Sequence, residues 1–213
     1  MTSCLHQYFT QYLPWIKGTS KQSVKAYRQT FSLLLHFLAT HHSVKIKSLK
    51  IEHLSADSVL AFLHHLEVHR KNVVQTRNNR LSVIKSLAKM IRFMHPDKKR
   101  IAEVILNIPQ KKAQKKIMGF LYPKEVMKVF EAVDFKKNEG MRDYTILHLL
   151  YDSGARASEI ATLGLDYFDP VNETIAVLGK GNQYRLINLW PITASLITNY
   201  ILNCRIDPIP LFG

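Results

Sequence analysis

Apolar residues recur at helical spacing through most of the chain, and strand-like alternation appears only from Leu165 onward. A first helix is predicted from Leu5 to Ile16, stopping near Gly18. After Thr19 and Ser20, either a good N-cap, Val24, Tyr27, Phe31, Leu34, Leu35 and Leu38 form one apolar face. The helix after Ser55 has Val59, Leu60, Phe62, Leu63 and Leu66 as its expected core set, and the next carries Leu81, Ile84, Leu87, Ala88 and Ile91. Pro96 interrupts the pattern, and Ile101 to Leu106 supply one more turn or two. Pro123 opens a helix at the position proline favours, with Val126, Val129, Phe130 and Val133 apolar. Another spans about Arg142 to Tyr151, ended by Gly154, and a short helix opens on Arg156. Strands are expected at Leu165 to Phe168, Thr174 to Leu178 and Tyr184 to Leu189, with turns at Asp169-Pro170 and Gly179-Lys180-Gly181-Asn182. A last helix runs from Pro191 to Asn203. The predicted fold class is mainly α with a small β-sheet.

Charge divides this pattern in two. Residues 1–118 carry 21 Lys/Arg against 5 Asp/Glu, a net of +16, while residues 119–213 carry 9 against 11, a net of −2. A basic half beside a near-neutral half predicts a polyanion-binding domain joined to a domain of other purpose. Two helices pair their apolar stripe with a basic one at i, i+4 and i+7: Lys21, Lys25 and Arg28, then Lys85, Lys89 and Arg92. Such rows can follow phosphates along a groove of double-stranded DNA. Either row alone reads as a solvated helix face; together, in a +16 segment, they favour DNA contact. Pro109 to Met118 is polar, with Lys111, Lys112, Lys115 and Lys116 and no buried face, and reads as a tether that also neutralises phosphates. The expected domains are residues 1–108, a linker at 109–119, and residues 120–213.

Cys4 and Cys204 form neither a disulfide framework nor a zinc pattern, which fits a reducing cytoplasm. No apolar run approaches the roughly 18 residues of a membrane span, and the N-terminus lacks a signal peptide's basic start and apolar core. A cytoplasmic protein without a membrane partner is the expectation. His65 and His69 stand at i, i+4, but without an intervening Glu or a third ligand no metal site is expected, nor any cofactor.

The candidate chemistry lies between Leu149 and Leu189. Arg156 opens a helix directly after a glycine turn, so its guanidinium and the helix N-terminus can address one anion. Guanidinium keeps its charge and binds phosphate in two-point fashion. Glu159, one turn on, suits the N-terminal end of a helix. Lys180 sits between Gly179 and Gly181 at a hairpin tip, where glycines allow close backbone approach. It is not part of a Walker loop, because position 174, where G-x-x-x-x-G-K requires glycine, is Thr174.

The strings Ser153-Gly154-Ala155-Arg156-Ala157-Ser158-Glu159-Ile160 and Leu178-Gly179-Lys180-Gly181-Asn182 resemble the two opening motifs of the tyrosine recombinase (phage integrase) catalytic domain. The 24-residue step between Arg156 and Lys180 is similar to the family's, and the basic helical first half looks like its core-binding, SAM-like domain. The resemblance implies an N-terminal helical core-binding domain followed by the N-terminal portion of a mixed α/β catalytic domain, the two forming a clamp around DNA. It implies metal-free strand cleavage through a 3′-phosphotyrosyl link, with Arg156 holding the phosphate, Lys180 as acid and Glu159 in support. The family also uses a later His-x-x-Arg box, a further His or Trp, and a nucleophilic Tyr. Here His148 is the last histidine, and Tyr167, Tyr184 and Tyr200 come too early in that order. The expectation is a truncated recombinase, inactive alone, with full-length recombinase subunits (a tetramer on DNA) as possible partners. The alternatives are a non-catalytic DNA-binding competitor at recombination sites, or a decayed remnant.

Overall fold

A computed structural model of the chain describes residues 1–114, 119–135, 137–179, 181, 183–203 and 211–212. α1 (Thr2–Gln7) runs directly into a π-helix, Tyr8–Ile16, instead of the single helix from Leu5 that spacing predicts. Pro14 contributes a reason: in an α-helix its ring would clash with the carbonyl of Thr10 four residues back, and the segment closes with wider bonds such as Lys17 N–H to Tyr12 O at 3.0 Å. Tyr8, Tyr12 and Leu13 turn inward, and the Tyr8 ring meets those of Phe9, Tyr12, Tyr27 and Phe31.

Ser20 Oγ accepts from Ser23 N–H at 3.3 Å and caps α2 (Lys21–His41); Ser55 Oγ accepts from Ser58 N–H at 3.1 Å and caps α3 (Ala56–Val68). α2 buries Phe31, Leu34 and Leu38, and α3 buries Val59, Phe62, Leu63 and Leu66. Leu60, expected in that core set, is 44% exposed. The helical turn of about 100° per residue carries it off the face centred on the other four. α4 (Val74–Met94) is the central helix, burying Leu81, Val83, Ile84, Leu87, Ala88, Met90 and Ile91 on more than one face. It packs against α2, α3 and α5 (Lys99–Leu106).

The first residues of the expected linker do not hang free. Lys111 N–H donates to Asn78 Oδ1 at 3.1 Å, Asn78 Nδ2 donates to Lys111 O at 2.7 Å, and Gln110 Nε2 donates to Ser82 Oγ at 3.1 Å. One buried amide side chain thus completes both backbone bonds of Lys111 against α4, much as a neighbouring strand would. Contacts divide the chain into two units, Met1–Lys116 and Ile117–Gly213.

In the second unit Pro123 begins α6 (Pro123–Glu131), where Glu125 Oε2 accepts from Tyr122 N–H at 2.7 Å. α7 (Asn138–Ser153) extends past the expected Arg142–Tyr151 at both ends. After the short α8 (Ala157–Ile160), the expected strand Leu165–Phe168 is instead a 3-10 turn, Leu165–Tyr167, leaving only Phe168–Asp169 as β1. Pro170 follows, and it has no N–H to extend a ladder. β1, β2 (Thr174–Leu178) and β3 (Tyr184–Asn188) form an antiparallel sheet in that order, with Phe168 opposite Ile175 and Val177 opposite Arg185. α9 (Pro191–Asn203) packs on α7. Leu149, Ile160, Leu163, Ile175, Val177 and Ile197 form the core between sheet and helices.

Candidate active site

Gly154 sets the approach to the site. At φ +57° it ends α7 in the left-handed conformation that glycine adopts without a steric penalty. Ala155 then leads to Arg156, whose extended backbone (φ −75°, ψ 147°) makes it the N-cap of α8. An arginine cannot cap its own helix, and Glu159 supplies the missing acceptor. Glu159 Oε2 takes the Arg156 N–H at 2.8 Å, while Oε1 takes Arg156 Nη1 at 2.7 Å. One carboxylate therefore holds both the main chain and the side-chain tip of Arg156.

A second guanidinium completes the cluster. Arg185 Nη2 donates to Glu159 Oε2 at 2.8 Å and Nη1 to Oε1 at 3.3 Å, a fork-to-fork pair. The Glu159 side chain is 7% exposed and that of Arg156 is 66% exposed. The carboxylate is the inner member, and Arg156 faces outward with one of its guanidinium nitrogens engaged by Glu159. Arg185 first, then the Arg156 backbone N–H, hold the Glu159 carboxyl down to about 2, so it is ionised at any physiological pH. Glu159 in turn pushes the Arg185 guanidinium up.

Sequence reading missed Arg185. The signal was in the strand alternation: Arg185 and Ile187 are the half-buried positions of β3, flanked by exposed Tyr184, Leu186 and Asn188. A cation at an inward strand position needs a partner. Gly179 makes room for it, since a Cβ there would stand 3.2 Å from Arg185 Nη1 and 3.4 Å from Gln183 O. Gly179 N–H donates to Gln183 O at 2.8 Å and closes the base of the hairpin, and Gly181 takes φ +84°. Lys180, the expected acid, lies outside the described residues, as do Lys115 and Lys116. Arg156, Ser158, Glu159, Thr162, Leu178 and Gly179 line an open groove of about 510 Å³, ample for a phosphodiester.

In the first unit, Lys21, Lys25 and Arg28 share one groove with Phe9, Pro14 and Val24. Arg28 sits over the Phe9 ring, 5.6 Å from its centroid. Lys85 is half-buried while Lys89 and Arg92 are exposed. Burial, then the neighbouring Lys89, lower the pKa of the Lys85 ammonium, so an incoming anion would relieve it. Lys17, missed from sequence, reaches Ser86 Oγ with its Nζ at 3.4 Å and so places another cation beside the α4 row. Lys111 is paired with Glu67 at 2.8 Å, and Lys112 is exposed. Among the described residues no group of three or more His, Cys, Asp or Glu is placed to hold a metal ion, and no helix is long and apolar enough to cross a membrane.

The phage integrase family model matches residues 119–209, and the phage integrase N-terminal SAM-like domain model matches residues 6–92. A putative integrase/recombinase, y4rD, of Sinorhizobium fredii is 30% identical over 213 residues, covering 98% of this chain and 76% of that protein. The tyrosine recombinase XerC of Staphylococcus carnosus is 28% identical over 182 residues, or 85% of this chain, which spans 58% of that relative's length. Among solved structures, the fold is similar to that of the XerH site-specific recombinase in its post-cleavage complex with palindromic difH substrate (TM-score 0.69, 17% identity, 100% of this chain and 64% of that one). It is also similar to the Tn1549 transposon integrase in complex with circular intermediate DNA (TM-score 0.67, 13% identity, 98% and 69%).

Proposed function

Because the chain belongs to the tyrosine recombinase (phage integrase) family, we propose that it binds double-stranded DNA and takes part in site-specific recombination or integration. Residues 1–108 act as the core-binding domain, residues 109–119 as a basic linker, and residues 120–213 as the first part of the catalytic domain. The observation that carries this reading is the cluster at Glu159: an outward-facing Arg156 held by a buried carboxylate at the wall of a groove that fits a phosphodiester.

In the complete reaction a tyrosine oxygen attacks phosphorus, a 3′-phosphotyrosyl bond forms, and the 5′ oxygen departs with a proton. Arg156 stabilises charge on the non-bridging oxygens, Lys180 gives the proton to the departing oxygen, and Glu159 keeps Arg156 oriented. The lysine and arginine rows on α2 and α4, with Lys111, Lys112, Lys115 and Lys116, hold the duplex through its phosphates. These 213 residues include no His-x-x-Arg after Arg156. Their later tyrosines are otherwise engaged: Tyr167 and Tyr184 share a hydroxyl contact at 2.9 Å, and Tyr200 is buried against Phe212. By themselves they bind duplex DNA without cleaving it. The test is duplex binding at several salt concentrations beside a suicide-substrate cleavage assay. Binding that falls steeply with salt, without a covalent product, is the expected result. Absent or salt-insensitive binding would remove the DNA reading, and cleavage by the 213 residues would overturn the account of the tyrosines.

A further inference from the structure

We infer that Arg185 is a positioning residue of the active site: it pairs with the same Glu159 carboxylate that holds Arg156 and so ties β3 to the guanidinium that holds the phosphate. The inference rests on the reading of Arg156 given above. Arg185 makes two bonds to the same two oxygens that orient Arg156, at 2.8 and 3.3 Å. Each Glu159 oxygen therefore accepts one bond from Arg156 and one from Arg185. With Arg185 removed, the carboxylate loses the planar fork that fixes its torsion, and Arg156 Nη1 loses a fixed acceptor.

The ion pair thus joins β3 to the helix cap at Arg156 through a single buried group. A Cβ at Gly179 would stand 3.2 Å from Arg185 Nη1, so the guanidinium would have to give by a few tenths of an ångström.

The test follows the Arg156 Nε–H resonance of the 213-residue protein during titration with inorganic phosphate near neutral pH. In the parent protein Arg156 responds to phosphate. Arg185→Gln is expected to weaken that response at least about tenfold. Arg185→Lys, which keeps the charge and loses the fork, is expected to fall between the two. If Arg185→Gln does not fold, Arg185→Lys decides the question through the same resonance. An unchanged Arg156 response in a folded Arg185 variant overturns the inference. A parent protein whose Arg156 ignores both phosphate and duplex DNA overturns instead the reading of Arg156 on which it rests.

Discussion

The two units handle charge in opposite ways. The first spreads cations over helix surfaces whose inner sides are apolar: α4 buries seven apolar side chains and still presents Lys89 and Arg92 to solvent. Cations spread in this way would act on a polyanion by number, each contributing little alone. The second unit has almost no net charge, and concentrates two guanidiniums on one buried carboxylate, Glu159. The first arrangement suits affinity without geometric demand. The second suits a single phosphate held at a set angle, which is what stabilising a transition state requires.

The sharpest way to break this comparison is salt. Neutralising six or more phosphates predicts a fall in duplex affinity of about a thousandfold or more between 50 and 200 mM salt, measured by fluorescence anisotropy. A shallow slope would mean that the first unit does not act through many phosphates. Next in size is the core beneath those cations. Leu87 is fully buried, so Leu87→Ala is expected to destabilise the first unit by about 2–5 kcal/mol in a denaturant titration. The amides of Ile175 and Val177 in the second unit should keep their hydrogen-exchange protection, and loss of both together would show that the units do not unfold separately.

A smaller effect compares the two charge strategies directly. Replacing Lys85, Lys89 and Arg92 together by Ala should weaken duplex binding by roughly 10- to 100-fold, against a few-fold for Arg156→Ala, which removes one phosphate contact. Equal losses would move the binding surface away from α4. The smallest expected effect is acid sensitivity. Glu159 titrates at about 2 when folded, below its unfolded value, so its contribution is fully present above about pH 4.5 and is lost as pH falls toward 2. His148, stacked on Phe130, has its pKa lowered first by burial, so protonation opposes folding and stability declines as pH drops below about 6.5. His148→Phe should abolish that earlier decline in thermal melts while leaving the later one, and a decline that persists unchanged would clear His148.

Local sequence carried much of this. The caps at Ser20 and Ser55, the apolar faces of α2 and α3, the α7 stop at Gly154 and the opening of α8 on Arg156 all depend on residues within a turn or two of one another. The Arg156–Glu159 pair was legible for the same reason, being three residues apart. The failures are also physical. Leu165–Phe168 alternates like a strand, yet Leu165–Tyr167 closes as a 3-10 turn and Pro170 lacks the N–H that would carry a ladder on. The π-helix at Tyr8–Ile16 has no period distinct enough from 3.6 to be read in nine residues.

The sequence by itself determined the helix starts, the basic rows, the near-neutral second half and the opening of α8 on Arg156, because periodicity, capping and charge are properties of neighbours along the chain. Only the tertiary structure decided that Arg185 shares Glu159 across 26 residues, that Lys17 reaches Ser86 across 69, and that Asn78 pins Lys111 across 33. Such contacts arise when packing of α4 and pairing of β2 with β3 bring distant polar groups out of water together. A buried carboxylate or amide then takes whatever donor the fold places within about 3 Å, because leaving it unpaired would cost more than any local preference.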